Sequence, residues 1–127
     1  MRVFHSLNDV PWERIGDFVG GKGYERKAIT DAELTPAFSA EIMRISPSGG
    51  SSEHMEPYSH LLYFLEGEGE VTIEGEVHKV GPGSIAQIRA GTFHSVRNAG
   101  AGKITVIVIY DPPRIPRENE VTGTNRD

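Results

Sequence analysis

The chain has no cysteine among its 127 residues. That excludes disulfides, thiolate metal ligands and cysteine nucleophiles, so any metal site has to be built from imidazole and carboxylate. Long apolar runs are missing as well. The longest, Ile104 to Tyr110, is interrupted by Thr105 and is far short of the roughly 18 residues that a membrane helix needs. Nor is there an excess of positive charge. Thirteen Lys and Arg stand against 18 Asp and Glu, for a formal net charge of −5, and without a basic patch nucleic acid is not an expected partner. The opening residues, Met1 to Asp9, contain no apolar signal-peptide region, so a cytoplasmic location is the expectation.

Turn-forming residues, in contrast, are plentiful. Fifteen glycines and eight prolines cut the chain into short segments, the punctuation of an all-β sandwich or barrel. Strands are expected at Glu25–Thr30, Phe38–Ile45, His60–Glu66, Glu70–Glu74, Glu76–Val80, Ser84–Ile88, Thr92–Asn98 and Lys103–Tyr110. Turns are expected at Gly20–Gly23, Pro47–Gly50, Gly67–Gly69, Glu74-Gly75 and Gly81–Gly83, and Pro11-Trp12-Glu13 is read as opening a helical turn within an amphipathic stretch from Val10 to Val19. The length suits one domain over residues 1–127 with its core at about 25–111. Pro112, Pro113 and Pro116 bar a central strand. The polar tail, 112–127, is therefore expected to be extended or disordered, or to form an arm that packs on a second subunit.

Four side chains carry the chemistry. His54-x-Glu56-x3-His60 is followed thirty-four residues later by His94. Three imidazoles and a carboxylate are the donors expected of a borderline-to-hard divalent transition metal. Residues i and i+2 of a strand face the same side, so His54 and Glu56 are expected to point together into a barrel. His60 rejoins them after a bend at Pro57-Tyr58-Ser59, and His94 comes from a distant strand. His5 and His78 have no partner at ligand spacing, and the acidic residues around Glu66–Glu76 read as a solvated hairpin.

These residues resemble the cupin superfamily. Gly83-x5-Arg89-x-Gly91-x2-His94-x3-Asn98 is similar to its second motif, which usually has proline where Arg89 stands. The segment from Gly49-Gly50 to Gly67 resembles the first motif, usually His-x-His, then Glu after three residues and Gly after six more. Here Glu56 stands at the second His and His60 at the usual Glu, so a carboxylate and an imidazole have exchanged places. The resemblance implies an all-β double-stranded β-helix, a jelly-roll barrel, with one divalent transition metal (Fe, Mn, Zn, Ni or Cu) inside. The ligands would be His54, Glu56, His60 and His94, or the first two with His94 alone and His60 beside them.

By strand parity Met43, Leu62 and Phe64 are expected in the pocket, with Gln87 beside them and Arg89 near the mouth as a clamp for an anion. Glu41 shares a face with Met43 and is the candidate proton acceptor, since an apolar pocket raises a carboxyl pKa. The resulting expectation is a metal-dependent enzyme acting on a small polar metabolite (organic acid, sugar or enol), by isomerase, cyclase, lyase or dioxygenase chemistry. A non-catalytic ligand-binding or sensor module is the alternative, and a homodimer is expected from the exposed N-terminal strand, the tail and the resemblance to small single-domain cupins.

Overall fold

The computed structural model describes residues 1–15 and 21–114. Among them the chain forms one 3-10 turn, Leu7–Asp9, and nine strands: β1 Glu13–Ile15, β2 Gly21–Ala28, β3 Ser39–Ser51, β4 Ser59–Glu66, β5 Gly69–Ile73, β6 Glu76–Val80, β7 Ile85–Ile88, β8 His94–Asn98 and β9 Ile104–Asp111. Every pairing is antiparallel, in the order β6-β5-β8-β3-β9-β4-β7, with β2 on β3 and β1 on β2. The sheet curls on itself. β3, thirteen residues long, pairs with β9 through its first half and meets β8 at Gly50.

The alternation of side chains builds the interior. His60, Leu62 and Phe64 of β4 turn inward between Leu61, Tyr63 and Leu65, and Ile104, Val106, Val108 and Tyr110 do the same on β9. Phe64, Ile45, Ile104, Val71 and Val106 are the most deeply buried large side chains. Each contributes on the order of 1.5–3 kcal/mol by leaving water. Because a one-residue slip would turn every one of these side chains outward, the burial pattern also fixes the register.

Three segments depart from the sequence expectation. The segment beginning at Pro11-Trp12-Glu13 does not open a helical turn: Glu13–Ile15 is a strand paired with Tyr24–Arg26. Trp12 lies against the Lys27 ammonium (4.9 Å) and the Arg44 guanidinium (4.2 Å), tertiary contacts that outweigh a local helical preference. The rest of that amphipathic stretch, from residue 16, lies outside the described residues. Gly21–Gly23, expected in a turn, begins β2, with a register shift between Lys22 and Tyr24. Pro47–Gly50, also expected in a turn, lies inside β3. There Gly50 has φ +146°, and a Cβ on it would come 2.4 Å from the Val96 carbonyl oxygen, so only glycine allows β3 to pass so close to β8. Of the tail, residues 115–127 are outside the described residues.

Candidate metal centre

The β3–β4 connection and the start of β8 meet where the two halves of the barrel close. His54 and Glu56 are not on a regular strand. His54 instead forms a single antiparallel bridge with His94, each backbone N–H donating to the other's carbonyl at 2.9 Å. The Gly91 N–H donates to the Glu56 carbonyl at 2.9 Å, and the Ala90 N–H to Ser59 Oγ at 3.1 Å. These bonds attach an irregular segment to the turn before β8, so the two sequence motifs hold each other in place.

The four expected ligands come together. Glu56 Oε1 lies 3.6 Å from His54 Nε2, 3.7 Å from His60 Nε2 and 3.6 Å from His94 Nε2. Donors bound to one ion at about 2.0–2.2 Å lie about 3–4 Å apart when adjacent, which these separations match. His54, Glu56 and His94 form the tighter group, with donor atoms all within 4.8 Å of one another. The rings of His54 and His94 are 4.4 Å apart, those of His60 and His94 4.8 Å.

Contacts behind the ligands orient them. His54 Nδ1 is 2.8 Å from the Ser52 carbonyl and His94 Nδ1 is 2.9 Å from that of Thr92. A carbonyl can only accept, so each Nδ1 carries the proton and each Nε2 presents a lone pair to the centre. The Tyr58 hydroxyl donates to Glu56 Oε2 at 3.0 Å. Burial, the largest influence, lowers the His60 pKa from 6.5 to about 4 against the raising effect of Glu56, so its imidazole is neutral at pH 7. Three imidazole Nε2 atoms converging on a carboxylate oxygen are a donor set that fits a divalent transition metal.

Next to these donors is a cavity of about 60 Å³. Most of its wall area is apolar, from Ile15, Met43, Ile45, Leu62, Val96 and Val106, and Tyr24, Ser51, Tyr110 and Arg114 add polar groups beside the four donors. The sequence profile of the Cupin domain family matches residues 41–110. The chain is a cupin. A 5-nitrosalicylic acid 1,2-dioxygenase from Bradyrhizobium sp is 30% identical to it over 78 residues, which is 61% of this chain and 38% of that protein. The chain thus spans well under half the length of that relative. Among solved structures, the polyketide cyclase RemF from Streptomyces resistomycificus superposes with a TM-score of 0.78 at 22% identity, over 94% of this chain and 89% of that one. KdgF from Halomonas sp. gives 0.73 at 22% identity, over 90% and 96%. At such identities the two structures share the fold.

The other expected site residues of this cupin are distributed unevenly. Met43 and Leu62 face the cavity. Phe64 points inward but packs in the core, only 1% exposed and off the cavity wall. Gln87 and Arg89 are both exposed and off that wall, so neither is placed to hold a ligand there. On β7 it is Ala86 and Ile88 that turn inward. Glu41 is buried but stands behind the wall. Its Oε1 accepts from Arg26 Nε at 2.8 Å and its Oε2 from the Tyr110 hydroxyl at 3.3 Å. His78 is exposed beside Glu76, at 3.4 Å. Two residues that line the cavity carried no sequence expectation of it, Tyr110 and Arg114; Tyr58, a candidate for the pocket rim whose direction at a bend the sequence leaves open, turns its hydroxyl to Glu56.

Proposed function

We propose that this cupin is a metal-dependent enzyme acting on a small organic acid with an apolar, planar body. The observation that carries the reading is the convergence of three imidazole Nε2 atoms on one Glu56 oxygen beside an apolar cavity. A divalent metal held there by His54, Glu56 and His94, with His60 beside them, would polarise a substrate oxygen and, if redox-active, support oxygen chemistry.

Charge and polarity narrow the substrate. Arg114 is among the residues lining the cavity and its positive charge acts on the neighbouring Tyr110; together with a divalent ion it would favour an anion. A sugar is disfavoured because its hydroxyls would face Ile45, Leu62, Val96, Val106 and Val108 and lose their hydrogen bonds. An aromatic or enolic hydroxy acid suits both ends, its carboxylate toward Arg114 and its ring against the aliphatic walls. A substrate larger than a few waters has to displace side chains, of which Met43 is the most compliant. Tyr110 supplies a hydroxyl on the wall, and Glu41 behind it can take the tyrosine proton as Tyr110 accepts one from the substrate. Glu41 is then a positioning and relay residue acting through Tyr110.

Of the two chemistries open from sequence, oxygen-dependent cleavage has the better support. The tighter group is two imidazoles and a carboxylate, the donor set of non-haem Fe(II) oxygenases, and a sequence relative is a 5-nitrosalicylic acid 1,2-dioxygenase. The test is oxygen uptake by Fe(II)-loaded protein with salicylate-type acids and β-keto acids. Consumption with loss of ring absorbance is expected, with an Arg114→Met variant raising KM for the acids but not for their amides. Turnover of the same compounds without oxygen uptake would replace this reading with a redox-neutral one. The homodimer also remains our proposal, supported by exposed Tyr63, Leu65, Ile85 and Ile109 on β4, β7 and β9. Light scattering on Ile85→Lys, expected to be monomeric, tests it.

A further inference from the structure

Glu56 is the only carboxylate in the donor group, and a carboxylate has two oxygens that can each bind an ion. The geometry points to Tyr58 as the residue that decides how many of them do so. We infer that Tyr58 is a positioning residue that holds Glu56 with one oxygen toward the ion and keeps the other off it. The inference rests on the metal-centre reading proposed above.

Three observations support it. First, the two oxygens of Glu56 have separate partners. Oε1 faces all three imidazole Nε2 atoms at 3.6–3.7 Å, whereas Oε2 accepts the Tyr58 hydroxyl at 3.0 Å. Second, the tyrosine is itself fixed. It is 5% exposed, its ring lies edge-on to Tyr110 at 4.9 Å and to His60 at 6.3 Å, and it stands two residues from Glu56 in the same irregular segment. Third, the Glu56 main chain is held independently by the Gly91 N–H. The side-chain torsions are therefore what the hydroxyl controls.

The consequence concerns the open positions of the ion. A carboxylate turned to offer both oxygens would take one more coordination position, and that position is one a substrate oxygen needs. The Tyr58 hydrogen bond disfavours this turn, because Oε2 would have to give up a buried donor. This constraint matters because the carboxylate stands at the second position of the motif, on a segment with no regular strand to stiffen it. His54 and His94 use backbone carbonyls for the same purpose, and Glu56 uses a side chain.

The experiment is a Co(II) titration of metal-free protein followed by visible absorption, whose band positions and intensity report coordination number without any turnover. It is run on wild type, Tyr58→Phe, Glu56→Ala and the double variant. Phenylalanine keeps the ring contacts, and thermal melts of the metal-free proteins confirm the fold. The inference predicts that Tyr58→Phe weakens Co(II) binding by about 10–100-fold and shifts the spectrum toward higher coordination. It also predicts that the same substitution has no effect on binding in the Glu56→Ala background, since the hydroxyl acts only through that carboxylate. Wild-type affinity and spectrum in Tyr58→Phe would overturn the inference and leave the metal centre standing. An equal loss of affinity in both backgrounds would also overturn it, by showing that the tyrosine acts through packing. Wild-type protein that takes up no Co(II) would remove the metal centre, and this inference with it.

Discussion

Removing the charge of Glu41 should cost far more stability than an ordinary substitution. Its side chain is 4% exposed and lies 2.8 Å from Arg26 Nε, while the arginine side chain is 18% exposed. Taking away one partner of such a buried pair costs about 3–5 kcal/mol, because the remaining charge has lost its compensation. Two features set the figure for Glu41→Gln at the low end. The amide still offers Arg26 an acceptor oxygen, and Glu13 stands 3.7 Å from Arg26 as a second, weaker partner. The expected loss is about 3 kcal/mol, which for a chain of this size lowers Tm by about 10 °C. Replacing both partners by apolar residues, as in Arg26→Met with Glu41→Leu, should recover much of it, since the desolvation of both charges is then avoided. Urea denaturation of metal-free wild type, both single variants and the double variant measures the coupling. A Glu41→Gln variant within 0.5 kcal/mol or so of wild type, or single effects that simply add, would refute the view that the two side chains form one buried unit.

Two further outcomes follow from other buried polar groups. Metal-free protein should lose stability on acidification. The folded His60 pKa of about 4 lies below its unfolded value of 6.5, so the unfolded chain takes the proton first. The stabilisation is therefore full above pH 6.5, falls as the pH drops toward about 4, and totals about 3 kcal/mol. Denaturation midpoints with chelator at pH 7, 6, 5 and 4 should fall steeply for wild type and less so for His60→Gln; parallel curves would count against the assignment. Asn98→Ala should cost about 3 kcal/mol: the buried amide donates to the Ile45 and Gly102 carbonyls at 3.0 and 2.9 Å and accepts from the Gly100 N–H at 2.9 Å. A Tm within a degree or so of wild type would show that water replaces these bonds.

Much of the fold was legible because short apolar runs closed by turn residues are the mark of buried strands. Leu61–Leu65 and Ile104–Tyr110 are such runs, and the corresponding strands β4 and β9 begin and end within a residue of the expectation. The convergence of His54, Glu56, His60 and His94 was legible for another reason: spacing survives in sequence even where the strand geometry assumed for it is wrong, as it is for His54 and Glu56. The missed features depend on contacts between distant parts of the chain. β1 is a three-residue strand docked beside a tryptophan held by two cations. The positions of Gln87 and Arg89 depended on where a four-residue strand starts, and Ala86 and Ile88 are the residues that turn inward. Arg114 reaches the cavity from beyond the last strand, anchored by its N–H to Ser39 Oγ at 3.0 Å. No local pattern around Arg114 or Tyr58 records these placements.

The most direct test of the metal centre is metal content after purification under metal-replete conditions, wild type beside His94→Ala. His94 is 3% exposed, and its Nε2 lies 3.6 Å from Glu56 Oε1 with Nδ1 held by the Thr92 carbonyl, so its loss takes one donor out of the tighter group. The expected result is about one equivalent of a divalent transition metal in wild type and strongly reduced content in a folded His94→Ala protein. Wild-type protein free of metal under those conditions, or a variant that retains it in full, would contradict the central claim.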